Sequence, residues 1–313
     1  MQENCVQNVM KLSDSNKISG VSALLLLFTA GTAAASPQQE VLRREITRTS
    51  EREVVVTLDA SFGTLNILKG GRDKIVAAEY RRNEDDKRQL EMFYEISHGR
   101  GELDINLSDD KKHRSRQSTS ISWEEMKSSH GDSDERELTA KFTDAVPLTF
   151  KIGLGAGKGD FDFTGLQVKN LKISAGASSA VLRCDEPNPI VCESVTIESG
   201  VSKFSARHLS NLNFRKLKFS GGIGAYTLDF AGKLRQKAYA DVEVGLGSIT
   251  VYVPREIPTR IITDDSWFSS VDVDDSFEKT KKNTYENEGY GHSVETLTLK
   301  IGSGLGSIKV RTR

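Results

Sequence analysis

Residues 150–182 read FKIGLGAGKGDFDFTGLQVKNLKISAGASSAVL, and the pattern inside them decides the fold. Two apolar residues alternate as Ile152-Gly-Leu154, Gly157 follows, and two more alternate as Phe161-Asp-Phe163. The unit returns as Leu171-Lys-Ile173, Gly176 and Ala180-Val-Leu182, then as Val195-Thr-Ile197, Gly200 and Phe204-Ser-Ala206. Leu217-Lys-Phe219, Gly222 and Tyr226-Thr-Leu228 make a further copy, and a shortened one closes the series at Val242-Glu-Val244, Gly247 and Ile249-Thr-Val251. Alternation puts residues i and i+2 on one face of a strand, so each copy offers two short strands with an apolar side. Intervening residues such as Lys172, Thr196, Lys218 and Thr250 then face water. Glycine supplies the positive φ that a tight strand-to-strand turn needs.

An isolated hairpin is marginal in water. Stacking gives every copy two neighbours and one continuous core, the logic of a solenoid. Further copies lie outside the central series. Val56-Thr-Leu58 leads through Gly63 to Leu65-Asn-Ile67, and Tyr94-Glu-Ile96 leads through Gly99 and Gly101 to Leu103-Asp-Ile105. Leu299-Lys-Ile301 leads through Gly304 and Gly306 to Ile308-Lys-Val310. Offsets between the central copies are 19, 24, 22 and 25 residues, within the range of solenoid repeats. The expected fold is therefore all-β, a β-solenoid-like stack of short hairpin repeats in a single elongated domain over residues 54–313. A β-sandwich or meander with glycine hairpins satisfies the same alternation. The stack is preferred because turn and strand spacing agree in most copies, while the lengths between copies vary as surface loops do.

The N-terminus reads as a targeting signal. Residues 21–35 (VSALLLLFTAGTAAA) form an apolar run that ends in small residues, and Lys11 and Lys17 precede it. A cleaved signal peptide over residues 1–35, cut between Ala35 and Ser36, fits the small-residue rule. The run is short for a membrane span, which needs about 20 apolar residues, and an uncleaved anchor is the alternative. No second apolar span follows, so the processed chain is expected to lack a transmembrane segment. Cys184 and Cys192 remain after cleavage, and an even count in an oxidising compartment suggests a disulfide between them. A two-cysteine metal site and two unpaired thiols are the other readings.

Residues 36–53 are polar and mixed in charge, an N-terminal arm before the first strand. Residues 74–80 are a further strand candidate, followed by a charge cluster over 81–88. Residues 108–137 carry charges of both signs and many serines, too little apolar surface to offset the entropy of ordering, and read as a mobile insertion. Residues 261–273 suggest another strand pair with Trp267 and Phe268 near its turn, and residues 274–294 a second charged loop.

No assembled chemistry is legible. Gly157-Lys158 lacks the glycine five residues earlier and the Ser or Thr after it that a phosphate loop requires; Ile152 and Gly159 stand there. A dinucleotide fingerprint needs a helix where Phe161-Asp-Phe163 reads as strand, and a G-x-S-x-G elbow is missing. His98, His113, His130, His208 and His292 show no metal-ligand spacing, and Asp264, Asp265, Asp272, Asp274 and Asp275 read as a solvated turn. The expectation is no catalytic residue, no cofactor and no metal. The candidate site residues are structural: Gly63, Gly99, Gly157, Gly176, Gly200, Gly222, Gly247 and Gly304 as repeat-turn glycines, with Cys184 and Cys192. A net charge of −1 argues against nucleic acid as a partner.

With the segments LKFSGGIGAYTLDFAGKL (217–234) and VEVGLGSITVYVP (242–254) beside the opening one, the series resembles the bacterial toastrack superfamily. That superfamily includes adhesin-like domains of unknown function and the C-terminal domains of LiaF-type cell-wall stress proteins. The resemblance spans about residues 54–313 and is strongest over 148–253. It implies a stack of β repeats in an exported or membrane-associated protein and carries over no catalytic residue. The insertion at 108–137 departs from the pattern, as does the lack of several membrane spans ahead of the domain. The expected function is an exported, non-enzymatic binding or adhesion module, secreted or periplasmic, whose partner is an unidentified envelope or extracellular protein or polysaccharide. A polysaccharide-active enzyme with Lys172, Lys218 and Lys300 along a groove, or an accessory protein in envelope-stress signalling, are the alternatives.

Overall fold

A computed structural model describes residues 39–83, 86–108, 136–264 and 268–313. The N-terminal segment read as a signal peptide, with Ala35 and Ser36, all but the ends of the 108–137 insertion, Asp265 and Trp267 lie outside the described residues.

Seven long strands carry the repeats: β2 (Glu53–Lys69), β7 (Leu148–Asp162), β8 (Val168–Arg183), β9 (Cys192–Arg207), β10 (Phe214–Asp229), β11 (Ala238–Val253) and β16 (Leu297–Thr312). Each pairs in parallel with the next in that order, so the copies do stack. The turn inside each repeat differs from the hairpin expected. The two apolar halves belong to one continuous strand that bends at its centre and keeps its parallel partners on both sides of the bend. The reason lies in the register. Pairing repeat on repeat satisfies the backbone of both halves at once, whereas folding a repeat onto itself would leave two edges per copy. Of the sequence repeats described, the one at residues 94–105 does fold as a hairpin, where β4 (Gln89–Ser97) meets β5 (Arg100–Ser108) antiparallel through His98 and Gly99, both at positive φ.

Register stacks like on like. Leu58, Ile152, Ile173, Ile197, Phe219, Val242 and Ile301 form one inward column, and Ile67, Phe161, Leu182, Ala206, Leu228, Val251 and Val310 a second, all buried. Edge-on aromatic contacts fill the space between them, with Phe150 lying 5.1 Å from Phe142 and 5.3 Å from Phe163, and Phe219 lying 5.2 Å from Tyr226. A column dominated by large aliphatic and aromatic side chains contributes roughly 1.5–3 kcal/mol per fully buried residue.

At the bend the backbones of adjacent rungs approach too closely for side chains. Gly63, Gly157, Gly247 and Gly306 share one position and adopt positive φ of 107°, 128°, 134° and 142°. Two residues earlier, Gly155, Gly176, Gly200, Gly222, Gly245 and Gly304 form a neighbouring column, where a Cβ on Gly200 would stand 3.0 Å from Gly176 O.

Between β8 and β10 the chain returns across the end of the coil, and buried asparagines fasten these crossings. Asn188 donates to Val168 O at 2.7 Å and Leu212 O at 3.0 Å, and its Oδ1 accepts from the amides of Val168 and Ile190. Asn211, within a 3-10 turn at Leu209–Leu212, donates to Cys184 O and accepts from the Lys233 amide; Asn213 donates to Ile190 O.

The stack is closed at each end by shorter strands. At one end β2 pairs with β5 through its first half and with β6 (Glu137–Phe142) through its second, and β3 (Lys74–Arg82) continues from β6. The polar arm is not free: β1 (Glu40–Thr47) pairs antiparallel with β3, with Arg43 on Glu79 at 2.9 Å. At the other end β12 (Thr259–Thr263) and β13 (Ser269–Val273) both lie parallel to β16 as one interrupted rung. The second charged loop contains a small hairpin, β14 (Glu278–Lys281) and β15 (Thr284–Glu286), which extends the sheet from β12. Cross-strand pairing holds these polar segments in place of core burial, which is why apolar alternation did not reveal them.

Candidate binding trough

One outward column runs beside the bend: Asp59, Gly153, Ser174, Glu198, Ser220, Glu243 and Gly302, one residue from each long strand. The glycine column two positions further along has no side chains, so an open trough of about 710 Å³ lies above it. Gly155, Gly176 and Gly200 contribute to its lining with Asp59, Glu198 and Asn106, the last reaching in from β5.

Its ionisable lining is acidic, with Lys151, Lys172 and Lys218 on the adjoining outward column. Asp59 and Glu198 are the ionisable residues of the lining. The Asp59 carboxylate leans over Gly153, where a Cβ would lie 3.4 Å from Asp59 Cγ. Loss of solvent around it, then the charge of Asp104 on β5, raise its pKa above the ordinary aspartate value. Glu198 accepts from Ser174 Oγ at 2.9 Å and has Lys172 Nζ at 3.5 Å on the adjoining outward column.

A second feature adjoins the floor. Gly155 and Gly176 are followed by Ala156 and Ala177, but on the next four rungs the column glycine is followed by Val201, Ile223, Leu246 and Leu305, between 47% and 63% exposed. Phe268, 74% exposed, extends the line beside Leu305, with Gly306 N donating to Phe268 O. With rungs spaced about 4.8 Å apart, this is a continuous apolar ladder rather than scattered surface residues.

Of the residues singled out from sequence, Gly176 and Gly200 line the trough, and Gly222 and Gly304 stack in the same column beyond it. Gly63, Gly157 and Gly247 sit in the positive-φ column, and Gly99 in the β4–β5 hairpin. The two cysteines are not bonded to each other: both are buried free thiols, Cys184 donating to Glu186 O and Cys192 to Ser194 O. Burial first, then the charge of Asp162, lifts Cys184 to about 12, and burial lifts Cys192 to about 12.

Asp272 pairs with Arg311, while Asp274 is held at about 2 by the Ser276 hydroxyl and amide and the Thr312 amide. Among the described residues no group of three or more His, Cys, Asp or Glu is placed to hold a metal ion. His208 instead meets Asp185 at 2.7 Å, and Lys300 lies 4.0 Å from Asp241. Sequence reading missed Asp59, Asn106 and Glu198. The available signal was the outward position of Glu198 two residues before Gly200, but one strand alone does not show that Asp59 and Asn106 align with it on neighbouring rungs.

A parallel, in-register β stack with a glycine-floored surface trough defines a repeat-scaffold protein. The chain belongs to the family described as the N-terminal domain of toast_rack (DUF2154), whose model matches residues 35–205. Among solved structures it is similar to a protein described as a putative cell adhesion protein from Clostridium sporogenes, at 19% identity over 88% of this chain and 100% of that one, with a TM-score of 0.46. It is also similar to one described as a putative adhesin from Bacteroides fragilis, at 13% identity over 88% and 99% of the two chains, with a TM-score of 0.39. No curated protein matches. Among the described residues, no helix is long and apolar enough to cross a membrane.

Proposed function

We propose that this chain is an exported, non-catalytic binding module that engages a protein or polysaccharide at or beyond the cell envelope. The observation that carries the reading is the trough: a solvent-open channel crossing several rungs, lined by small residues and carboxylates, beside an exposed apolar ladder. A contiguous exposed apolar line on a stable scaffold is a mark of an interaction surface. The apolar run at 21–35 supports export through a leader removed between Ala35 and Ser36. The test has two arms. Fractionation and N-terminal sequencing of the expressed chain should find it outside the cytoplasm and starting at Ser36. The purified chain should bind envelope material and release no fragments from a panel of envelope polysaccharides.

The Lys172–Glu198 pair beside the trough favours one competing reading, a polysaccharide-active enzyme, since such an enzyme needs a carboxylate and a basic group along one groove. Chain cleavage by the wild type that K172A abolishes would establish that reading and end the non-catalytic one.

A further inference from the structure

We propose that the trough takes a basic polypeptide segment whose alternate residues are apolar; this rests on the binding-module reading and names its ligand class. Charge is the first ground. The ionisable residues of the lining are both acidic, and Glu243 continues their column on the next rung but one beyond Glu198. Asp59 and Glu198 are three rungs apart, about 14 Å at the spacing of paired strands, so they address separate cationic groups along one ligand. Asp59 also stands near Asp104 in a partly desolvated setting. An ammonium or guanidinium group there relieves the repulsion between two carboxylates and restores solvation lost to the walls.

Shape and polarity supply the second ground. The lining contains no aromatic ring, the usual platform for a sugar face, and is built from glycine, serine and alanine apart from Leu154, Asn106 and the two acids. A floor without side chains admits another backbone at close range. The third ground is the ladder. Val201, Ile223 and Leu246 each follow directly on a glycine of the floor column, and on the rungs of β9 and β11 Glu198 and Glu243 stand on one side of that glycine with Val201 and Leu246 on the other. An extended chain alternates its side chains with a period of two, which lets basic residues meet the acids while apolar residues meet the ladder.

The experiment uses the full chain after removal of any leader. Fluorescence anisotropy is measured with three probes of matched length: an alternating Lys-Leu peptide, an alternating Glu-Leu peptide and a glucosamine oligomer. The Lys-Leu peptide is expected to bind and the Glu-Leu peptide to fail. Binding should weaken as salt rises through the range where exposed charges are screened. The double variant D59N/E198Q should lose about tenfold in affinity, one decade per 1.4 kcal/mol, and I223S/L246S several-fold, with the wild-type circular dichroism spectrum retained. Salt-insensitive binding by the wild type overturns the proposal without reference to any variant. Equal affinity for the Glu-Leu peptide, unchanged affinity in D59N/E198Q, or no peptide bound also overturns it. Tighter binding of the glucosamine oligomer with the same variant sensitivity overturns the polypeptide assignment. None of these outcomes involves cleavage, so each leaves the binding-module reading to its own test.

Discussion

Replacing Gly247 with alanine tests whether the bend is built by stacked backbones. Gly247 sits at φ 134°, and a Cβ there would stand 3.0 Å from the carbonyl carbon and 3.1 Å from the amide nitrogen of Gly224, and closer still to the carbonyl oxygen. Two costs follow. Holding an L-residue at this φ costs about 1–3 kcal/mol. Relieving the overlap requires two central rungs to part, which sacrifices ladder hydrogen bonds at about 1 kcal/mol each. Together they predict a loss of about 3–5 kcal/mol, within the range reserved for backbone strain combined with overpacking. Gly291 supplies the control: its φ is 93°, yet nothing lies within 4 Å of the point where a methyl group would stand. G291A should therefore cost only the conformational share. Urea unfolding followed by circular dichroism should place the G247A midpoint about 1–2 M below wild type, given a slope of about 2–3 kcal/mol/M. Equal midpoints for G247A and G291A would show that the rungs do not approach as described.

Asn188→Ala removes two donated and two accepted hydrogen bonds at a site 1% exposed, and a loss of about 2–5 kcal/mol in urea unfolding is expected, with Asn188→Asp intermediate because its oxygens can still accept. The two buried thiols should resist a thiol reagent in the native chain and both react after unfolding without reductant; a count of zero in the unfolded chain would show a bond instead. Acid stability has a defined sign. Lys69 first, with Arg72, holds Asp144 below the ordinary aspartate value. In Glu51, burial pushes the pKa up, but hydrogen bonds from its own amide and from Thr49 outweigh it. Their stabilisation is complete above the unfolded values near 4 and is lost as pH falls through the lower folded values, so the urea midpoint should be level from pH 7 to about 5 and drop below about 4. Asp59 has the opposite sign: its raised pKa favours the fold in acid, and that contribution fades as pH climbs past it. D59N should therefore raise the midpoint at pH 7 and leave it unchanged near pH 3.

By itself the sequence determined which residues are interior. Alternation such as Leu171-Lys-Ile173 and Tyr226-Thr-Leu228 marks inward columns because strand geometry alone assigns odd and even residues to opposite faces. The recurrence of that unit determined that copies stack, because none has enough apolar surface alone. Tertiary structure decided the sense of pairing. A glycine such as Gly157 suits a hairpin turn or a bend equally in local terms, and only its close approach to Gly63 selects the bend. The trough was likewise a tertiary decision. Asp59, Asn106 and Glu198 are far apart in the chain, and they share a surface because parallel register brings one outward position from each rung into line.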